Sequence, residues 1–219
     1  MSFLVESGGS FERCPTGNSL ARCYRIIDLG TQKTEYMGQV KYLHKIMLGW
    51  EVFPADDNGI LHYMRDGRPF SIFKNYTLSW SDKANLRLDL QSWLGKPFNQ
   101  EELRKFDLNT VMGKWCQLNI IERHGQNGNT YSNVDNIAPV SSPQKQIGFP
   151  AAVNANELFN LQDPNMELFD GFSENLKTKI MSSPEWEKFQ NKTNQSPTES
   201  QLKIQSAPSL DEPDENIPF

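Results

Sequence analysis

The sequence is poor in cysteine: 219 residues contain only Cys14, Cys23 and Cys116. Three cysteines cannot build a disulfide framework, none lies in a C-x-x-C pair, and no regular zinc spacing is present. A reducing, cytoplasmic compartment is therefore expected. No run approaches the roughly 18 apolar residues of a membrane-spanning helix, so an integral membrane protein is not expected. The stretch MSFLVESGGSFER lacks the basic start and apolar run of a signal peptide. No GxxxxGK[ST] loop occurs, which argues against an NTPase of that class. Histidine is scarce: His44, His62 and His124 have no Ser, Cys or carboxylate at a triad-like spacing. The acidic pairs Asp56-Asp57 and Glu101-Glu102 fall in turn and helix-start contexts, where solvation and the helix dipole account for them. No catalytic residue, metal or cofactor is expected, and the chain reads as a non-enzyme.

Net basic charge is also lacking, at −5 overall, but the charge is uneven. Residues 11–146 carry 17 Lys+Arg against 14 Asp+Glu, a net of +3. Residues 147–219 carry 5 against 12, a net of −7. A mildly basic body followed by an acidic tail is the pattern of a binding domain with an appended interaction segment.

What is present is strand pattern. Leu20–Leu29 alternates, with Ala21, Cys23, Ile27 and Leu29 on one face, Arg22, Tyr24, Ile26 and Asp28 on the other, and a turn expected at Gly30-Thr31. Val40–Phe53 is a longer strand and Phe70–Ser79 a third. The period then changes. Ser81 is placed to cap a helix from Asp82 to Leu94, ended by Gly95. A short helix over Gln100–Phe106 follows, capped by Asn99 with Glu102 three places on. Trp115–Arg123 and Thr130–Val140 read as strands around the GQNGN turn. A broken helix spans Phe169–Gln190, interrupted near Ser183-Pro184. Five strands with helices between the third and fourth is the order of an OB-fold barrel. The expectation is therefore α+β: an OB-like five-stranded barrel with a helical insertion and a packed C-terminal helix, over residues 13–192. A flexible stretch at 1–12 precedes it, and a disordered linker and acidic tail at 193–219 follow.

Aromatic and basic residues interleave along these strands. Unpaired bases stack on rings while the backbone follows a basic groove. The candidates for that chemistry are Arg22, Tyr24, Lys41, Lys45, Phe73, Lys74, Tyr76, Arg123 and Tyr131.

The chain ends DEPDENIPF, with Asp211, Glu212, Asp214 and Glu215 before Ile217, Pro218 and Phe219. This resembles the C-terminal tip of bacterial single-stranded-DNA-binding proteins, several acids followed by Ile-Pro-Phe. Asn216 departs from that pattern, standing where another acid is usual. A terminal Phe offers a ring and a carboxylate to a basic-rimmed apolar pocket, and the acids steer the encounter. Residues 193–210 lack apolar periodicity and read as a tether.

The body is similar to a group of phage and prophage proteins. The shared features are Asp28–Gln32 (DLGTQ), Trp50-Glu51, Tyr76–Ser79 (YTLS), Gly95-Lys96 with Phe98 and Glu101-Glu102, and Gly113-Lys114 with Cys116. That resemblance covers roughly residues 13–190. Its helical insertion is not a feature of the bacterial proteins, so their tetramer does not carry over. Together the resemblances imply a phage-type protein that coats single-stranded DNA in replication, recombination or repair. They also imply recruitment of partner enzymes, host ones included, through Asp211, Glu212, Asp214, Glu215, Ile217, Pro218 and Phe219. The competing expectation is an interaction protein that mimics the tip without binding DNA; a nuclease on an OB scaffold ranks third.

Overall fold

A computed structural model describes residues 12–36, 38–125 and 128–195. Of the expected flexible stretch 1–12 only Glu12 is described, and of the expected disordered segment 193–219 only 193–195, which are helical rather than disordered; the rest, the acidic tip included, lies outside the described residues. The strands are β1 (Gly17–Tyr36), β2 (Gln39–Phe53), β3 (Phe70–Thr77), β4 (Trp115–His124), β5 (Thr130–Ala138) and the short β6 (Glu157–Phe159). Between β3 and β4 stand α1 (Asn85–Leu94), α2 (Gln100–Lys105) and a single 3-10 turn at Leu108–Val111. The remaining helices are α3 (Ser142–Ile147), α4 (Met166–Asp170), α5 (Glu174–Met181) and α6 (Pro184–Gln195).

Five strands pair antiparallel in the order β3-β2-β1-β4-β5, and β6 adds parallel to β1 at Arg25–Ile27. The α+β class and the helices between the third and fourth strands match the sequence expectation. The closed barrel does not: β3 and β5 approach each other, but no ladder joins them. The chain at residues 12–14 lies at that seam. Ser132 of β5 donates to the Cys14 carbonyl at 2.7 Å, and the Arg65 amide donates to the Glu12 carboxylate at 3.0 Å. α1 packs on both β3 and β5 below the gap.

Two hydrophobic clusters lie on opposite faces of the sheet. The first holds Ala21, Cys23, Ile26, Leu48, Trp50, Ile72, Tyr76 and Leu118 with Leu86, Leu90 and Trp93 of α1. The second holds Ile27, Leu29 and Met47 against Phe159, Phe169, Phe172, Ile180 and Trp186 of the C-terminal segment. Each large side chain fully buried in this way contributes about 1.5–3 kcal/mol. The expected alternation in β1 is broken by two register shifts, one between Cys23 and Arg25 and one between Asp28 and Gly30. The first inserts an extra residue, so Cys23 and Ile26 face the first cluster while Ile27 and Leu29 face the second.

Gly30 is not a turn. β1 continues through it at φ +67°, and the hairpin turn comes at Gly38. A Cβ on Gly30 would lie 2.5 Å from the Ser183 Cβ, so the close approach of the α5–α6 junction requires glycine here. The first insertion helix starts at Asn85 rather than Asp82 and has no side-chain cap, because Ser81–Ala84 form a turn instead. Gly95 ends it in the left-handed region as expected. Asn99 and Glu102 form the expected capping box, at 2.8 and 3.0 Å, and α2 stops at Lys105. The expected helix at 169–190 is three pieces, broken at Gly171 as well as before Pro184.

Candidate nucleic-acid interface

The C-terminal layer packs on Ile27 and Leu29 of β1 and Met47 of β2, and no β3 side chain belongs to that cluster. Ile72 and Tyr76 point into the first cluster, so Ser71, Phe73, Asn75 and Thr77 point outward. Phe73 is 40% exposed, a large value for a ring in mid-strand. Its seat is made by Gly49 of β2, its partner in the ladder: a Cβ there would lie 2.6 Å from the Phe73 ring. The Arg25 guanidinium lies 5.8 Å from the ring centroid, and Tyr24 meets the ring edge-on at 6.5 Å. One ring face is thus backed by the protein and the ring still reaches solvent.

Further along the strip, Lys45 donates to the Thr77 hydroxyl at 2.6 Å. Burial and then the neighbouring Lys179 ammonium hold Lys45 below the usual lysine value. Neither lysine has an ion pair among the described residues, so a phosphate between them would relieve their mutual repulsion. Beyond Lys45, β1 and β2 run on as a two-stranded ribbon. Tyr42, opposite Lys33, is 68% exposed there, and Lys41 beside it is exposed.

The remaining candidates fall elsewhere. Arg22 is committed to the buried Glu51 carboxylate at 2.8 Å and also donates to the Asn154 carbonyl and the Asn156 side chain. Tyr24 is buried, its hydroxyl 3.5 Å from Ser71 Oγ. Tyr76 is buried in the first cluster and donates to Asp89 of α1 at 2.8 Å; burial, then the Asp89 charge, push its hydroxyl well up. Lys74 pairs with the same carboxylate at 2.7 Å. Burial and these partners leave Arg22, Tyr24, Lys74 and Tyr76 no ring face or free charge for a strand. Arg123 is exposed at the far hairpin, 3.7 Å from Asp135. Tyr131, 45% exposed, lines a cleft of about 820 Å³ at the β3–β5 seam together with Arg13, Ile72 and Phe73. Of the nine candidates, Phe73 and Tyr131 line the cleft between the two edge strands β3 and β5, while Lys45 and Lys41 lie on β2, Lys45 beside Thr77 of β3.

Two polar clusters escape sequence reasoning. Glu51 accepts from Arg22, from the Val153 and Asn154 amides at 3.2 and 2.8 Å, and from Asn154 Nδ2 at 2.9 Å. It fastens residues 153–156 to the sheet. At the other end of the layer, the Glu185 carboxylate accepts from the Thr31 hydroxyl and amide at 2.6 and 2.8 Å, and His44 bridges it to Asp28. Partners 16 to 154 residues apart leave no local signal.

All three cysteines are buried free thiols, and burial raises Cys14 and Cys23 to about 12, so they serve the core. Among the described residues, no three His, Cys, Asp or Glu side chains converge to hold a metal, and no helix is long and apolar enough to cross a membrane. The chain matches no family model and no curated protein.

Proposed function

We propose that the protein binds single-stranded DNA along the outward border of β3 and the β1–β2 ribbon. The observation that carries this is the Phe73 ring, propped outward on Gly49 in line with Asn75, Thr77 and Lys45, whose neighbour Lys179 shares with it the lack of any ion pair among the described residues. An exposed ring backed by protein gives a base a stacking face, and lysines with no ion pair among the described residues hold the backbone that follows. Lys41, on the same side of β2 as Lys45, extends the path along the ribbon, and Phe73 and Tyr131 bound it at the seam. The strand order supports an OB-like reading: β1 pairs with both β2 and β4, helices follow β3, and β3 approaches β5. The opening at the seam is a departure from a closed barrel.

The acidic segment 211–219, with its Ile-Pro-Phe, acts as the recruiting element for replication, recombination or repair enzymes. The test is titration with oligo-dT and with duplex DNA of equal length at two salt concentrations, followed by tryptophan fluorescence and gel mobility. Preferential, salt-sensitive binding of the single strand is the expected result. No binding, with or without residues 211–219, rejects the reading and leaves the tip's protein partner as the main function.

A further inference from the structure

β3 ends at Thr77, opposite Lys45 of β2, and the β2–β3 ladder stops there. His44 follows the first cluster's side while the adjacent Lys45 lies on the outer strip; Leu78 follows Thr77 in the same way. Behind this end of the ladder lies a cavity of about 390 Å³, within the roughly 300–1,000 Å³ of small-ligand pockets. Ile26 and Ile46 form its floor. Trp80 and Phe106 form an aromatic wall, their centroids 5.3 Å apart, and Leu158 of β6, half-exposed, stands at the lining.

The polar groups narrow the ligand. Asp28, His44 and the solvent-exposed Asp107 line the cavity, with the side-chain amides of Asn109, Asn160 and Gln162; the imidazole is taken by Asp28. Asp28 Oδ1 takes the Gly30 amide at 2.9 Å and His44 at 2.7 Å; Asp107 Oδ1 takes the Asn109 amide at 2.9 Å. In each carboxylate one oxygen is spoken for, and the structure gives the other no hydrogen-bond partner among the described residues. Two carboxylates repel a phosphate, so the occupant is not the DNA backbone or a free anion. An aromatic wall over an aliphatic floor calls for a flat ring, and free carboxylate oxygens call for a donor on its edge.

We infer that this cavity is a base-reading subsite, taking from the bound strand a nucleobase that carries an exocyclic amino group. A carboxylate accepting from the cytosine N4 amino group is an established pairing; thymine offers an acceptor at that position and would face Asp107 or Asp28 with like polarity. The inference rests on the proposed strip, because the base is delivered by a strand held at Lys45 and Thr77. It adds a preference that stacking on Phe73 cannot produce, since every base has a ring face.

The experiment compares oligo-dC with oligo-dT of equal length on the full chain, in the wild type and in two variants. Asp107→Asn keeps the cap of the 3-10 turn while removing a charged acceptor. Leu158→Tyr fills the cavity from an exposed position. The expected result is roughly tenfold tighter binding of dC than dT in the wild type, reduced to parity in both variants with dT affinity unchanged. Equal binding of dC and dT by the wild type, or a preference that survives both variants, overturns the subsite and leaves the strip standing. If neither oligonucleotide binds, the strip reading fails, and free cytidine then decides the cavity. Quenching of tryptophan emission by cytidine, lost in Leu158→Tyr, supports the subsite; no response overturns it.

Discussion

Removing the Glu51 carboxylate separates a structural arginine from a DNA-binding one. Glu51 is 0% exposed and its partner Arg22 nearly buried, 2.8 Å away. Glu51→Ala strands the guanidinium and deprives the Val153 and Asn154 amides of their acceptor. Breaking a buried pair from one side costs about 3–5 kcal/mol, because the remaining charge stays desolvated. For a chain of this size each kcal/mol lowers the melting temperature by about 2–4 °C, so a drop of roughly 6–20 °C is expected. Arg22→Met has a cost of the same kind and leaves single-strand affinity unchanged below its melting point. The double variant Arg22→Met with Glu51→Leu regains only part of the loss, since the 153–154 amides still lack a partner. Circular dichroism melts and oligo-dT titrations on the same preparations read both quantities. A Glu51→Ala melt within about 2 °C of the wild type would refute the clamp. So would an Arg22→Met protein that melts normally but binds DNA weakly.

Phe73→Ala removes the stacking face and is expected to weaken oligo-dT binding by about 1–3 kcal/mol, roughly 5- to 150-fold, with little change in melting; undiminished affinity removes Phe73 from the path. Gly49→Ala displaces the same ring and follows Phe73→Ala in direction, a comparison that isothermal titration makes directly. Lys45→Ala lowers the slope of log affinity against log salt by about 0.7, the share of one phosphate on a single strand; a parallel line shows that Lys45 touches none. Glu185 governs an acid limb. Burial alone would raise its carboxyl, but the Thr31 hydroxyl and amide hold it net below its ordinary 4.5. A carboxylate depressed in the folded state stabilises above its unfolded value and loses that contribution as pH falls through the folded one. Stability should therefore fall below about pH 4.5, and Glu185→Gln should flatten that limb in urea melts; an unchanged pH profile argues against the Thr31 contact.

Features set by neighbours in the chain were legible before the structure. The Asn99–Glu102 capping box, the Gly95 helix stop and the break before Pro184 need only a few adjacent residues. β1 was legible as a strand but not in its facing, because nothing in LARCYRIIDL marks Tyr24 as the residue where the register shifts. The candidate site divided along the same line. Phe73 and Tyr76 lie on opposite faces of one strand by alternation, but only the packing of α1 with Asp89 on one face and Gly49 of β2 on the other shows which ring is buried and which is propped outward. Arg22 looked like a free cation because its captor lies 29 residues on and the loop that completes the clamp more than 130. Coverage of β1 and β2 by residues 157–189 is likewise a tertiary event, and it decides which border of the sheet remains open.

The extra residue at Tyr24 has a thermodynamic consequence. A strand that kept strict alternation would serve one core on its inner side, and the C-terminal helices would sit on a polar surface as a detachable cap. Because β1 changes face in mid-course, one backbone segment belongs to both cores at once. Lifting the helices bares Ile27, Leu29 and Met47 in the middle of the sheet's central pair, and melting the sheet removes the floor from under Phe159 and Trp186. The two halves therefore lose their packing together, and differential scanning calorimetry of the chain should show one cooperative peak rather than two.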